Sequence, residues 1–485
     1  MVLPRCQKCS LVSGDIVQDE RQTRERTAAR LRLVTTSHFH SQSSTTPQSP
    51  FVQPWLQLHT MTATLLPRRK VNQPGLEWVE DVFSIEPCWT EEPSIETITR
   101  LTRDNLKLSE AEQVTVKAFA EGAFNKLFSI DCAKGRFIFR VSLPVAPVVK
   151  TSSEVATLAF IREKTDIPVP HVIAHDADLS NELGFEWMLM ERVDARPLHE
   201  VWHGMSWMKK GLLVKQIAEH VAQLFNIELS GIGSLGPADK FAANADGQST
   251  HTVGEIVQPA FFKGDNIALD IARGPFRSTH EYLTARLQLL EHFASKLDQE
   301  DEDDLEHYTD IQAVLSSLRT IIPRLFPDNS SSTAEPTILC NRDISTSNIL
   351  VNPQGDLISI VDWECVATLP PYFAVQLPQF LKGPSRTTPP AFTSDTTSEV
   401  HKTELELYET TCLRKFFLEE MARICPAWLR VFETEKVRAD VLVALDKCEN
   451  DMTVKWVRAW LDAVVEGREP RVSLTDACRN PLRAA

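Results

Sequence analysis

The stretch 338–364 reads ILCNRDISTSNILVNPQGDLISIVDWE. An apolar run leads into Asp343, Asn348 follows five residues on, and Asp362 closes a second apolar run. Between them, Ile349–Val351 and Leu357–Val361 predict the two arms of a hairpin, joined by Asn352-Pro353-Gln354-Gly355, residue types that suit a turn. A hairpin here folds the chain back so that Asp362 stands beside Asn348. A carboxylate and an amide oxygen converging there would hold Mg2+, a hard cation that prefers oxygen ligands. Asp343, close by, is free to accept a proton from an attacking hydroxyl or to orient it. Phosphoryl transfer needs those parts: metal to neutralise phosphate charge and a placed carboxylate for the acceptor. The same residues also admit a structural reading, in which Asp343 caps a turn, Asn348 satisfies backbone groups and Asp362 ends a strand.

Upstream residues supply partners for a nucleotide triphosphate. Arg140 is a single cation in the apolar run Phe137–Val141, and a charge on such a strand needs an opposite partner. Glu154, at the start of the next helical stretch, is the candidate. The pair would present positive charge to the α- and β-phosphates, or else form a salt bridge with no ligand. Phe119–Asn125, containing Gly122, Ala123 and Phe124, lies between two strands where a phosphate-covering loop belongs; with one glycine it reads equally as an ordinary hairpin turn. Glu191 and Val193, on either side of Arg192, sit between two differently patterned regions, where adenine would bond to backbone groups. That assignment rests on position.

These residues need elements to hold them. Val114–Phe119, Leu127–Asp131 and Arg136–Val141 are β-prone runs separated by turn residues. Ser153 is expected to cap a helix over Glu154–Lys164, whose apolar Val155, Leu158, Ala159 and Ile161 recur at helical spacing. Ile167-Pro168-Val169-Pro170 ends it, because proline cannot continue the bonding ladder. Two further strands, Val172–His175 and Phe185–Glu191, complete a small α+β lobe. Beyond Val193 the pattern turns helical: Val214, Ile217, Ala218, Val221, Leu224 and Phe225 form one apolar stripe, and Leu283, Leu287, Leu290 and Leu297 another. Both read as core faces. Glu300–Glu306 reads as a solvated acidic face or loop, Asp328–Ala334 and Gly383–Glu399 as exposed loops, and Leu405–Val465 as periodic helix in which Trp456 and Trp460 pack. The expected organisation is an extension over 1–75, a nucleotide-binding lobe over 76–193, a helical lobe over 194–470 with the catalytic loop at 338–364, and a tail over 471–485.

Composition narrows the partners. The chain has 485 residues, 42% hydrophobic and 24% charged, with a formal net charge of −15. Nothing remains over to neutralise a phosphate backbone, which excludes nucleic acid as the main partner. The acidity suits a cationic substrate or simply solubility. The ten cysteines are scattered; only Cys6 and Cys9 have metal-like spacing, without a second pair, and a reducing intracellular compartment fits. No apolar stretch is long enough for a bilayer span. Residues 1–75 carry Arg21, Arg24, Arg26, Arg30 and Arg32 among Ser and Thr, as in a mitochondrial transit segment, against which stand Asp15, Asp19, Glu20 and Glu25. A disordered extension, or initiation at Met61, is the other expectation.

On these residues the chain resembles the aminoglycoside phosphotransferase/choline kinase superfamily, and within it the altered inheritance of mitochondria branch. The likeness lies in Phe119–Phe128 (FAEGAFNKLF), Arg140-Val141, Ser153–Ile161 (SEVATLAFI), Ile167–Pro170 (IPVP), Met188–Glu191, Asn341–Val351 and Ile360–Glu364 (IVDWE), and runs from about residue 75 to about residue 385. It implies an α+β, bilobal, protein-kinase-like fold, with a small antiparallel-sheet N-lobe and a larger, mostly helical C-lobe. It implies ATP-dependent phosphorylation of a small-molecule hydroxyl, with Asp343 as catalytic base and Asn348 and Asp362 as Mg2+ ligands. Arg140 fills a position where many relatives carry lysine, and its planar fork is a different phosphate ligand. Asn341 stands where the family usually has a histidine that braces the loop; its shorter amide can still hydrogen-bond. That departure motivates the alternative, a weak or inactive nucleotide-binding pseudokinase with an interaction role. A protein acceptor is less favoured, since Trp363-Glu364 follows Asp362 where an activation segment would begin. Gly231–Pro327 with Pro370–Lys382 would shape the acceptor pocket, whose occupant no sequence code names.

Overall fold

The computed structural model describes residues 69–81, 84–237, 251–327, 333–391, 398–470 and 472–479. The transit-segment, Met61 and Cys6–Cys9 expectations lie outside them, as do parts of the loops expected over 328–334 and 383–399.

The N-terminal lobe is a five-stranded antiparallel sheet of β3 (Val114–Glu121), β4 (Asn125–Cys132), β5 (Gly135–Ser142), β6 (Val172–Asp176) and β7 (Glu186–Glu191), in the order β3-β4-β5-β7-β6. Two elements precede it that the sequence pattern does not announce: a hairpin, β1 (Leu76–Asp81) with β2 (Ser84–Trp89), and helix α1 (Ile95–Leu106). Helix α1 begins in the expected manner for a capped helix, Ser94 Oγ accepting from Thr97 N. It buries Ile98 and Leu106 against Ile130, Phe139 and Leu189 on one face of the sheet. The other face is covered by α2 (Val149–Lys164), whose Val155 packs on Ile138, Met188 and Met190.

Helix α2 corrects one expectation. It starts at Val149, so Ser153 is not its cap but a buried residue in its second turn. The N-cap Val148 has φ 70 and no capping side chain; its N–H donates instead to Glu186 Oε1 at 2.7 Å, from β7. The cap is tertiary, supplied 38 residues downstream, which is why local patterning put the start too late.

The C-terminal lobe packs α3 (Trp207–Phe225), α4 (Thr279–Ala294), α5 (Glu302–Leu325), α6 (Glu399–Ile424), α7 (Pro426–Thr434), α8 (Lys436–Lys447) and α9 (Asp451–Val465) around two apolar clusters. Both expected stripes face these clusters, and Trp460 is buried with Trp456 against it. The acidic run is a solvated face, at the start of a helix: Asp301 caps α5, and Glu302, Asp303 and Asp304 form its first turn, where the helix dipole favours anions. At the two ends of the described chain, Arg69 pairs with Glu255 at 2.7 Å, and α10 (Leu474–Arg479) docks on α8 through Leu474 N to Asp440 Oδ2 at 2.8 Å.

Within this lobe β8 (Pro336–Cys340) leads into the motif, and β9 (Ile349–Val351) pairs antiparallel with β10 (Leu357–Ile360), Ile349 opposite Ile360. The hairpin read from the sequence is present. Strand β11 (Ala367–Leu369) then returns to pair with β8, closing the segment at both ends.

Candidate active site

The hairpin brings its two ends into register: Val361 N donates to Asn348 O at 2.9 Å, so Asp362 follows directly beside Asn348. Asn348 Nδ2 donates to Asp343 Oδ2 at 2.9 Å and to Asp343 O at 3.1 Å. That commits the amide nitrogen and leaves the amide oxygen as the donor atom for a cation. Asn341 ties the loop together from the other side, its Oδ1 accepting from Asp343 N at 2.8 Å and its Nδ2 donating to Asp362 O at 3.5 Å. The bracing role expected of a histidine here is carried by an asparagine.

Asp362 adopts φ 63, the left-handed region that Asp tolerates better than most residues. The anchor is Trp363, 1% exposed, whose indole N–H donates to Ile360 O at 2.9 Å. With Trp363 driven into the core, the residues on either side, Asp362 and Glu364, both line the same cavity. This cavity, about 530 Å3, is also lined by Phe124 from the β3–β4 loop, by Asn341, Arg342 and Asp343, and by Lys263, Arg286, Asp446 and Glu449 from the helical lobe. Arg342 and Arg286 share Asp446, at 3.1 and 2.8 Å.

On the sheet side, Arg140 reaches Glu154 through Nη1, as expected, and Glu364 through Nη2. Glu364 also takes Lys150 Nζ at 2.6 Å and Asn125 Nδ2 at 2.9 Å. Burial works against the charge on Glu364, yet Lys150 and Arg140 outweigh it and hold the carboxyl down to about 2. Asp362 is pushed up to about 7, first by burial and then by Glu364. Burial likewise raises Glu154, against the pull of Arg140.

Of the residues singled out from sequence, the cavity gathers Phe124, Asp343 and Asp362, with Asn348 bonded to Asp343 and the Arg140–Glu154 pair joined to it through Glu364. Gly122 and Ala123 are exposed at the tip of the β3–β4 hairpin and do not line the cavity; Gly122 N donates to Asn125 O at 2.9 Å across that tip. Glu191 ends β7 with its N–H bonded to His171 O at 2.9 Å, and Val193 O accepts from Ala195 N at 3.0 Å; neither lines the cavity. Three participants had no role assigned from sequence: Lys150, Asn125 and Glu364. Glu364 was visible as the second acid of Asp-Trp-Glu, and Lys150 as a cation one helical turn before Glu154. Pro370–Lys382, expected to shape the acceptor pocket, lines a second cavity of about 550 Å3, which meets the first at Arg342.

The donor set suits a nucleotide-bound Mg2+. Such an ion keeps water and takes one or two protein ligands besides phosphate oxygens, which Asp362 and Asn348 can supply. Among the described residues no group of three His, Cys, Asp or Glu forms a metal site by itself.

An antiparallel lobe joined to a helical lobe, with a catalytic-loop hairpin at the cleft between them, defines a kinase-like phosphotransferase fold. The phosphotransferase enzyme family (APH) matches residues 115–373, and the chain belongs to it. A subtelomeric hrmA-associated cluster protein of Aspergillus fumigatus is 28% identical over 308 residues, 55% of this chain and 60% of that protein. Altered inheritance of mitochondria protein 9, mitochondrial, of Meyerozyma guilliermondii is 24% identical over 309 residues, 55% of this chain and 51% of its own length. The match thus spans a little over half of these relatives. Among solved structures, aminoglycoside phosphotransferase APH(4)-Ia is similar with a TM-score of 0.43 and 13% identity, over 77% of this chain and 99% of its own. No helix among the described residues is long and apolar enough to cross a membrane.

Proposed function

We propose that the protein transfers the γ-phosphoryl group of ATP, with Mg2+, to a hydroxyl of a small molecule. The observation that carries this reading is the convergence of Asp343 and Asp362 on one cavity, with the Asn348 amide bonded to the Asp343 carboxylate. Asp362 and the Asn348 oxygen would hold the metal, which supplies charge neutralisation on the phosphates. Asp343 orients the acceptor hydroxyl and takes its proton; Asn348 and Asn341 fix that carboxylate and its backbone. The Arg140–Glu154 pair stands behind Glu364 on the sheet side and would act on the nucleotide through that carboxylate. Positioning and electrostatics of this kind make up most of what a protein contributes to phosphoryl transfer. The mitochondrial names of several relatives support a mitochondrial setting.

The test is incubation of the full chain with ATP and Mg2+ across pools of hydroxylated metabolites, read by mass spectrometry. A product heavier by one phosphoryl group, formed by the wild type and lost in Asp343→Asn, is the expected result. Mg2+-dependent ATP binding with no product from any pool would leave the protein a nucleotide-binding pseudokinase and overturn the catalytic reading.

A further inference from the structure

The cation nearest to the Asp-Trp-Glu segment is not Arg140 alone. Lys150 sits on α2 one turn before Glu154, and its side chain is 1% exposed. Its Nζ lies 2.6 Å from Glu364 Oε2, the same oxygen that receives Arg140 Nη2 and Asn125 Nδ2. Asn125 is fixed in turn, its Oδ1 accepting from Ser142 Oγ at 2.7 Å and from Lys150 Nζ at 3.3 Å. Three elements of the sheet lobe (β4, β5 and α2) therefore meet on one carboxylate, which belongs to the catalytic segment of the other lobe.

Burial decides what Lys150 does. A lysine that touched phosphate would need its ammonium open to the cleft, and this one is sealed behind Glu364 and the ring of Phe124, whose centroid is 5.7 Å away. Its charge acts on Glu364 instead. Arg140 would otherwise be the single cation between Glu154 and Glu364, and both carboxylates would draw on it. With Lys150 present, two cations face two carboxylates. Arg140 Nε and Glu154 Oε2 remain buried without a hydrogen-bond partner, so the Arg140–Glu154 pair still has unused bonding capacity while Glu364 is saturated on one oxygen. Glu364 lies two residues after Asp362 and is separated from it only by the buried Trp363, so fixing its carboxylate fixes the turn that carries Asp362.

We infer that Lys150 is a positioning residue for the metal–nucleotide site: by holding Glu364, together with Asn125 and Arg140, it locks the Asp362 turn onto the sheet lobe. This rests on the nucleotide reading of the cleft and names residues through which the cleft would sense Mg2+.

The experiment is titration of the full chain with a fluorescent N-methylanthraniloyl derivative of ATP, in Mg2+ and in EDTA, for the wild type, Lys150→Met and Lys150→Arg. The wild type is expected to bind more tightly in Mg2+ by about tenfold or more. Lys150→Met should lose most of that Mg2+-dependent gain while its affinity in EDTA stays within about threefold, and Lys150→Arg should recover part of the gain. A stability role alone would move both affinities together. If Lys150→Met does not fold, Lys150→Met/Glu364→Gln removes the buried pair without leaving one charge behind, and the same loss is expected of it. A variant that folds and keeps the full Mg2+-dependent gain overturns the inference alone. A wild type that binds no nucleotide under either condition overturns the nucleotide reading and this inference with it.

Discussion

At the scale of single residues, the site depends on amides as much as on acids. Asn348 and Asn341 place Asp343 through three bonds between 2.8 and 3.1 Å, so a change at either asparagine should act through the aspartate. Asp343→Asn removes the proton acceptor while preserving size and the contact with Asn348. Loss of a general base costs about 10²- to 10⁴-fold in rate, so turnover should fall by that range with nucleotide affinity little changed, measured by isothermal titration beside product formation. Asn341→Ala leaves the acid in place but frees its backbone; kcat should drop about tenfold or more, with KM for ATP nearly constant. Asn341→His should retain most activity if bracing is all that the position requires. A histidine variant as impaired as the alanine one would show that amide geometry itself matters. Types and spacing made Asp343, Asn348 and Asp362 legible in the sequence. The partner of Lys150 and Asn125 is not legible, because it is Glu364, 214 and 239 positions away, and no local pattern encodes such a meeting.

At the scale of elements, local rules were sufficient wherever the determinant is local. The β9–β10 hairpin and the strands β3 to β7 follow from turn residues and β-prone runs. The start of α2 did not, since its cap comes from Glu186 on β7. That same residue makes a pH prediction. Burial pushes Glu186 up from its ordinary 4.5 to about 7, although bonds from Thr151 and Val148 oppose the shift. Below about pH 4.5 the acid is protonated in folded and unfolded chains alike. Between there and pH 7 the unfolded chain gives up the proton and the folded one keeps it, so the folded state holds more protons and its stability falls as pH rises. A shift of that size corresponds to about 3 kcal/mol at full extent. Glu186→Gln keeps an oxygen to accept from Val148 N and cannot ionise. Its denaturation midpoint should therefore improve relative to the wild type between pH 5 and pH 8, and an unchanged gap would show that the carboxyl is solvated in the folded protein. Trp363→Ala probes the other buried anchor. It should cost about 3–5 kcal/mol, the range for emptying an aromatic site in a core, and should weaken Mg2+-dependent nucleotide binding even where the variant remains folded.

At the scale of the whole molecule, charge ties the acidic composition to the cleft. A net charge of −15 suits a cationic partner or mere solubility. The catalytic cavity adds a more specific statement: its wall carries five acids, Asp343, Asp362, Glu364, Asp446 and Glu449, against Lys263, Arg286 and Arg342. Arg286 and Arg342 are shared by Asp446, and Glu364 is held by Lys150 and Arg140, which leaves Asp343, Asp362 and Glu449 facing Lys263. Free ATP, bearing about four negative charges, would enter a cavity of its own sign, and repulsion of that kind is screened over about 8 Å at physiological ionic strength. Metal-free ATP should therefore bind weakly at low salt and more tightly as salt rises towards about 0.15 M. The Mg2+ complex carries half the charge and brings the cation that Asp362 and Asn348 can hold, so its affinity should be higher and less sensitive to salt. Titrations in EDTA and in Mg2+ at two ionic strengths read this directly. Metal-free affinity that falls steeply with added salt would mean that Arg140 and Lys263, rather than the acids, set the potential at the phosphates, and that the metal is secondary to binding. The opposite slope would make the divalent ion the element that converts an acidic cleft into a nucleotide site.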